Sequence, residues 1–311
     1  MKLLFAGTPV TALPALAALL DAGHDVVAVV SNPDAPVGRG QRLVASPVAD
    51  EARRLGIPLL QPQRARESWF VDAVTGLGID AAVIVAWGRL IPDGLLAVPK
   101  HGWINLHFSL LPAWRGAAPV QRTVMAGESA TGVTTFRLVH DLDAGPVWRH
   151  QAVAIGADET AGDLLGRLAV IGADVLARTL EDVASGVAPT PQPIDGVSLA
   201  PKVTVDDARA DWTRPVIAVH NQVRGVTPEP GAWTMLDGQR LKILGVMPVP
   251  NSVSDAQSLK PGELLAGKRQ LLIGTGDGVL ELMTVQAPGK PPMAGADWAR
   301  GARLTPGVRC E

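Results

Sequence analysis

Two nearly unbroken runs of small and branched apolar residues constrain this chain most. They are His24-Asp25-Val26-Val27-Ala28-Val29-Val30 and Asp80-Ala81-Ala82-Val83-Ile84-Val85-Ala86. A strand with one wet face alternates apolar with polar; an unbroken run predicts burial on both faces, as in a parallel sheet covered by helices. Before the first run stand Lys2-Leu3-Leu4-Phe5-Ala6, the turn Gly7-Thr8-Pro9, and a segment from Thr11 to Ala22 with Leu13, Leu16, Leu19 and Leu20 at helical spacing, ended by Gly23. This β-α-β start predicts a doubly wound α/β domain with ligands beyond the carboxyl ends of its strands. The turn after the first strand lacks G-x-G-x-x-G, which argues against NAD or FAD.

The pattern continues. Ser46-Pro47 is a helix start with Ser as N-cap and Pro at the first position; the helix runs to Leu55-Gly56, and Ile57 to Leu60 reads as a strand. A helix around Trp69 to Leu77, a strand Trp103 to His107, a helix Val120 to Ala126, strands near Thr131–Leu138 and Val147–Ala154, and a helix from Glu159 to about Ser185 complete the first domain. From about Asp206 the texture changes to short apolar runs between Gly and Pro, such as Ala232–Leu236, Leu241–Leu244, Leu271–Ile273 and Val279–Leu282, which predict a small β-barrel. The expected division is a domain over 1–189, a Pro-rich linker over 190–205, and a barrel over 206–311.

Chemistry concentrates between Trp103 and Gly145. Side chains two apart on a strand share a face, so Asn105 and His107 stand side by side at a strand's end. Leu142-Asp143-Ala144-Gly145 then supplies a carboxylate in a glycine turn. An amide, an imidazole and a carboxylate together can bind an oxyanion and move a proton. Two other stretches fit either a structural or a binding role. Trp87-Gly88-Arg89-Leu90-Ile91-Pro92 is an apolar strand-to-helix corner or a seat for a flat heterocycle. Ser31 to Leu43, with Arg39 and Arg42, is a mobile loop or a means of reaching phosphates and unstacked bases.

Composition sets limits. A net charge of −2 does not by itself indicate a nucleic-acid binder. The single Cys310 excludes an internal disulfide and any Cys-rich metal site and suits a reducing cytosol. No apolar run approaches the ~18 residues of a membrane span, and Leu3 to Ala6 is too short for the apolar core of a signal peptide.

INLHFSLLPAWRGAAPVQ, with LDAG downstream, resembles the signature of the folate-dependent formyltransferases. The Arg39 loop, Ala200-Pro201-Lys202 and Pro228-Glu229-Pro230-Gly231-Ala232-Trp233 resemble the members that act on a charged tRNA. The resemblance implies a Rossmann-like formyltransferase domain followed by an OB-like barrel that helps hold tRNA. It implies a cytoplasmic enzyme, expected to be monomeric, without a metal. Its reaction would pass a formyl group from 10-formyltetrahydrofolate to the α-amine of initiator methionyl-tRNA, for translation initiation. Asn105, His107 and Asp143 would be catalytic. Ser109, Leu110, Leu111 and Pro112 would contact the folate, with Ala86, Trp87 and Gly88 around its pterin. Arg39, Arg42 and Lys202 would meet the tRNA. Two positions depart from the family pattern: Phe108 is bulky where many members have a small residue, and Pro146 follows LDAG where an acid is common, leaving the turn's charge to Asp143 unless Asp141 shares it. A small-molecule acceptor such as glycinamide ribotide or an amino sugar, a hydrolytic deformylase, and a non-catalytic folate or tRNA binder remain as alternatives.

Overall fold

The computed structural model describes residues 1–37, 40–250 and 259–311. Contacts divide the chain into two compact units, one of Met1–Pro119, Ala130–Ala154 and Leu165–Ala200, the other of Val120–Ser129, Ile155–Leu164 and Pro201–Glu311.

The first unit is built on a seven-stranded sheet ordered Val147–Ala154, Ala130–Arg137, Trp103–His107, Ala81–Val85, Lys2–Gly7, Asp25–Val30, Leu59–Leu60. The five strands from Trp103–His107 to Leu59–Leu60 run parallel, Ala130–Arg137 pairs antiparallel with Trp103–His107, and Val147–Ala154 pairs antiparallel with Ala130–Arg137. The chain works outward from Lys2–Gly7 and then returns to its other side at Ala81–Val85, so the winding reverses between these two strands. At such a reversal the connections leave in opposite directions and open a crevice beyond the strand ends. Gly7 is required there: a Cβ would lie 2.9 Å from Ala12 Cβ and 3.0 Å from the Val85 carbonyl.

Both apolar runs are buried on both faces, as their composition predicts. Leu4, Ala6, Ala28, Val30, Ala82 and Ile84 pack on one face against Phe70 and Val74 of the helix Ser68–Gly76, with Trp87 and Trp103. Burying each large apolar side chain stabilises the fold by about 1.5–3 kcal/mol. The helices Leu13–Asp21 and Pro47–Leu55 contact the strand Asp25–Val30. Ser46 caps the second of these through Ala49 N at 3.1 Å, and Gly56 ends it at φ 68°. The long helix Ala161–Ala184 lays Gly172 against Leu106 and brings Thr179 Oγ1 to 2.7 Å from Thr135 Oγ1.

Two stretches differ from expectation. Within the segment read as a loop, Ala35–Val37 pairs antiparallel with Arg42–Val44; Arg39 lies outside the described residues. Residues 190–200, expected as linker, belong to the first unit: Thr190 exchanges backbone hydrogen bonds with Val147, and Leu199–Ala200 pairs in parallel with Arg115–Gly116.

The second unit holds an antiparallel sheet ordered Ala232–Leu236, Gln239–Pro248, Val279–Gln286, Leu271–Gly274, Leu264–Ala266, with Met293–Ala294 added to Val279–Gln286. Register shifts around Gly245 let the long strand bend, and the sheet curls into an OB-like half-barrel around Trp212, Leu241, Ile243, Leu271, Ile273 and Leu282. Its margins meet the chain's last residues: Glu311 pairs with Met235, Val308 O accepts from Leu264 N at 3.0 Å, and Cys310 N donates to Gly262 O at 2.8 Å. The Cys310 thiol is buried, and burial pushes its pKa up to about 12. The helix Val216–Gly225 carries buried His220, Asn221, Gln222 and Arg224. No helix among the described residues is long and apolar enough to cross a membrane.

Candidate active site

A cavity of about 460 Å³ opens where the carboxyl ends of Ala81–Val85 and Trp103–His107 meet the loop 138–143. Its position follows from the reversal in the sheet. Asn105 and His107 project into it from one face of their strand, fixed by pairing with Ile84 on one side and with Phe136 and Thr134 on the other. Asn105 is half-buried and His107 buried.

Past His107 the chain folds back on itself. Ser109 Oγ donates to Ala113 O at 2.7 Å, and Ser109 O accepts from Thr134 Oγ1 at 2.7 Å. Thr134 Oγ1 also accepts from Leu111 N at 3.2 Å. The loop thereby delivers the Trp114 carbonyl to 3.0 Å from His107 Nε2. A carbonyl only accepts, so Nε2 carries the proton and the lone pair of the neutral ring is on Nδ1. Burial pushes the imidazole pKa down, against the opposing pull of Asp143 and of the Trp114 carbonyl. A pKa held below the ordinary histidine value favours the neutral ring at pH 7.

Asp143 sits in the turn with φ 47°, a left-handed conformation that Asp tolerates better than most residues. Its Oδ2 accepts from Gly116 N at 2.7 Å and lies 3.9 Å from His107 Nδ1. That gap exceeds a hydrogen bond, so the charge acts on the ring across space. The turn closes tightly: a Cβ on Gly145 would overlap the Arg137 carbonyl. Asn105, His107 and Asp143, expected as a set, thus line one cavity.

Ala86, Trp87 and Gly88 also line it, Ala86 at φ 51° and Gly88 at φ 75°; the Trp87 ring itself is buried against Phe70. Phe108, Ile91 and Leu138 to Leu142 form a further part of the wall, residues that the sequence did not single out as a group. Ser109, Leu110, Leu111 and Pro112 are not among the lining residues. Their polar atoms build the loop, and Leu110 packs over Gly132. Arg42 is exposed on the hairpin, and Lys202 is exposed in the second unit. Gln192 and Ser198 were missed. Gln192 Nε2 donates to Asp143 O at 2.7 Å and to Gly145 O at 2.8 Å, while Ser198 Oγ accepts from Trp114 N at 2.9 Å. Nothing local in TPQP marks such a role, because its partners lie far away in the sequence.

The family model described as Formyl transferase matches residues 1–180, and that described as Formyl transferase, C-terminal domain, matches residues 202–303. Methionyl-tRNA formyltransferase of Streptomyces coelicolor is 52% identical over 311 residues, covering 99% of both chains. The enzyme of the same name from Cutibacterium acnes is 51% identical over 316 residues, again covering 99% of both. Among solved structures, the N-formyltransferase of Helicobacter canadensis in complex with folinic acid and dTDP-3-aminofucose is 16% identical with a TM-score of 0.65, covering 91% of this chain and 99% of that one. At such an identity the likeness is one of fold.

Proposed function

The chain belongs to the formyl transferase family, and from that premise we propose that it transfers a formyl group from 10-formyltetrahydrofolate to the α-amine of initiator methionyl-tRNA, as translation initiation requires. The observation that carries this reading is the convergence of Asn105, His107 and Asp143 on one cavity at the sheet's reversal. Full-length identity of about one half to enzymes named for this reaction supports the choice of acceptor.

The chemistry needs no strong base. An α-amine has a pKa of about 7.7–8.0, so a useful fraction is neutral at pH 7. Its nitrogen attacks the formyl carbon, and the carbonyl π electrons move onto oxygen. The Asn105 amide donates to that oxyanion, an interaction whose removal typically costs about 10²–10³ in rate. The nitrogen, now cationic, gives a proton to Nδ1 of the neutral His107. The resulting imidazolium stands beside the Asp143 carboxylate, whose charge stabilises it, and its Nδ1–H supplies the proton to the folate N10 as the C–N10 bond breaks. The long Asp143–His107 separation suits a pair that tightens once substrate is bound.

Ala86, Trp87 and Gly88 offer backbone groups and apolar surface to a flat pterin. Ser109 to Pro112 serve the folate by holding the loop that orients His107. Arg39, Arg42 and Lys202 meet the tRNA backbone. The enzyme works in the cytoplasm as a monomer. Incubation with charged initiator tRNA and the formyl donor is expected to yield formyl-methionine on the tRNA; formate release without an amine acceptor, or no product at all, overturns the proposal.

A further inference from the structure

We propose that Gln192 is a positioning residue for the transfer reaction, a single side chain that clamps the Asp143 turn to the Arg115–Gly116 strand. This rests on the reading of Asp143 and His107 given above.

The Gln192 amide is fully used. Its Nε2 donates one hydrogen to Asp143 O at 2.7 Å and the other to Gly145 O at 2.8 Å. Its Oε1 accepts from both arms of one guanidinium, Arg115 Nε at 3.2 Å and Nη2 at 2.7 Å. A forked donor against one oxygen fixes direction as well as distance. Asp143 is the turn's left-handed residue, and its own carbonyl is one of the two that Gln192 holds. The opposite end of the same carboxylate arrangement is Gly116 N, one residue beyond Arg115, at 2.7 Å from Asp143 Oδ2. A closed circuit results: Gln192 to Asp143 backbone, Asp143 carboxylate to Gly116, Gly116 to Arg115 by the chain, and Arg115 back to Gln192.

The segment that carries Gln192 is itself pinned on both sides. Thr190 pairs with Val147 just beyond the turn, Ser198 O accepts from Arg115 N at 2.9 Å, and Leu199–Ala200 pairs with Arg115–Gly116. The two loops that bring Asp143 and the Trp114 carbonyl to His107 are thus set by one strap from a distant part of the sequence. A misplacement of about 1 Å in a reacting group can cost on the order of 10²-fold in rate. Removing the amide frees the turn, lets the carboxylate recede from His107, and withdraws the negative charge that raises the imidazole pKa.

The test compares Gln192→Met, which keeps the length and removes every hydrogen bond, with Gln192→Glu, which keeps an acceptor for Arg115 and loses both donors. Both are expected to lower kcat roughly 10- to 100-fold, with affinity for 5-formyltetrahydrofolate kept within about twofold. In Gln192→Met, which introduces no charge, the His107 pKa, followed by NMR of the histidine rings, is expected to fall relative to the parent. The ring titration needs no turnover, so it judges the clamp even if the parent proves inactive, an outcome that would count against the proposed function instead. Ile194→Ala, an exposed position on the same segment, serves as the control and is expected to match the parent. The proposal is overturned by a His107 pKa and a kcat unchanged in the Met variant, by activity restored in the Glu variant, or by folate affinity and melting temperature falling in step with kcat.

Discussion

Each of the two units buries a histidine near an aspartate. In the first, His107 Nδ1 is 3.9 Å from Asp143; in the second, His220 Nε2 is 3.4 Å from Asp158. Both rings are lowered in pKa chiefly by burial, and both carboxylates oppose that shift. By distance alone the second pair is the better one, yet its surroundings differ. The Asp158 side chain is 60% exposed against 11% for Asp143, so water screens its charge. The Arg224 cation lowers the His220 pKa further, and His220 Nδ1 has no hydrogen-bond partner among the described residues. His107 has a carbonyl fixing its tautomer, an amide on the same face and a cavity beside it. Proximity of His and Asp does not make a proton-transfer site; a fixed tautomer, a carboxylate kept out of water and room for a substrate do.

The contrast can be broken most directly by paired substitutions. His107→Ala is expected to lower kcat by about 10³, whereas His220→Ala leaves kcat within about twofold and lowers the melting temperature; equal losses of kcat would erase the distinction. Asn105→Ala is expected to cost about 10²–10³ in kcat while folate affinity is kept, and normal turnover would remove that amide from the oxyanion's partners. Arg42→Ala is a smaller test: KM for tRNA rises about fivefold, as loss of one phosphate contact implies, with KM for folate unchanged. The smallest effect is on stability. A histidine whose folded pKa lies below its unfolded value of about 6.5 contributes stability that is present above that pH and is lost as pH falls toward the folded pKa. Melting temperature should therefore decline between pH 7 and 5, and His220→Asn should soften the decline.

What the sequence made legible follows the range of the interactions. The buried strands Asp25–Val30 and Ala81–Val85 could be read because burial on both faces removes the alternation that a half-exposed strand must show. Asn105 and His107 share a face by strand periodicity alone. The Asp143 turn was legible because Gly145 follows it in the chain. The roles of Gln192 and Ser198 were not, since their partners are about 45 to 85 residues away and a Pro-rich tract looks the same whether it straps a loop or merely connects. For Ser109 the sequence leaves two readings open, since a polar residue in an irregular loop does not reveal whether its oxygen faces a ligand or its own backbone; here its hydroxyl donates to the Ala113 carbonyl.

The chain's one cysteine, buried and itself among the final residues that meet both margins of the half-barrel, offers an intrinsic clock. A thiol held at a pKa of about 12 barely reacts while covered. Its rate of alkylation therefore reports how often those last residues lift away, a local opening that can be timed without attaching any label elsewhere.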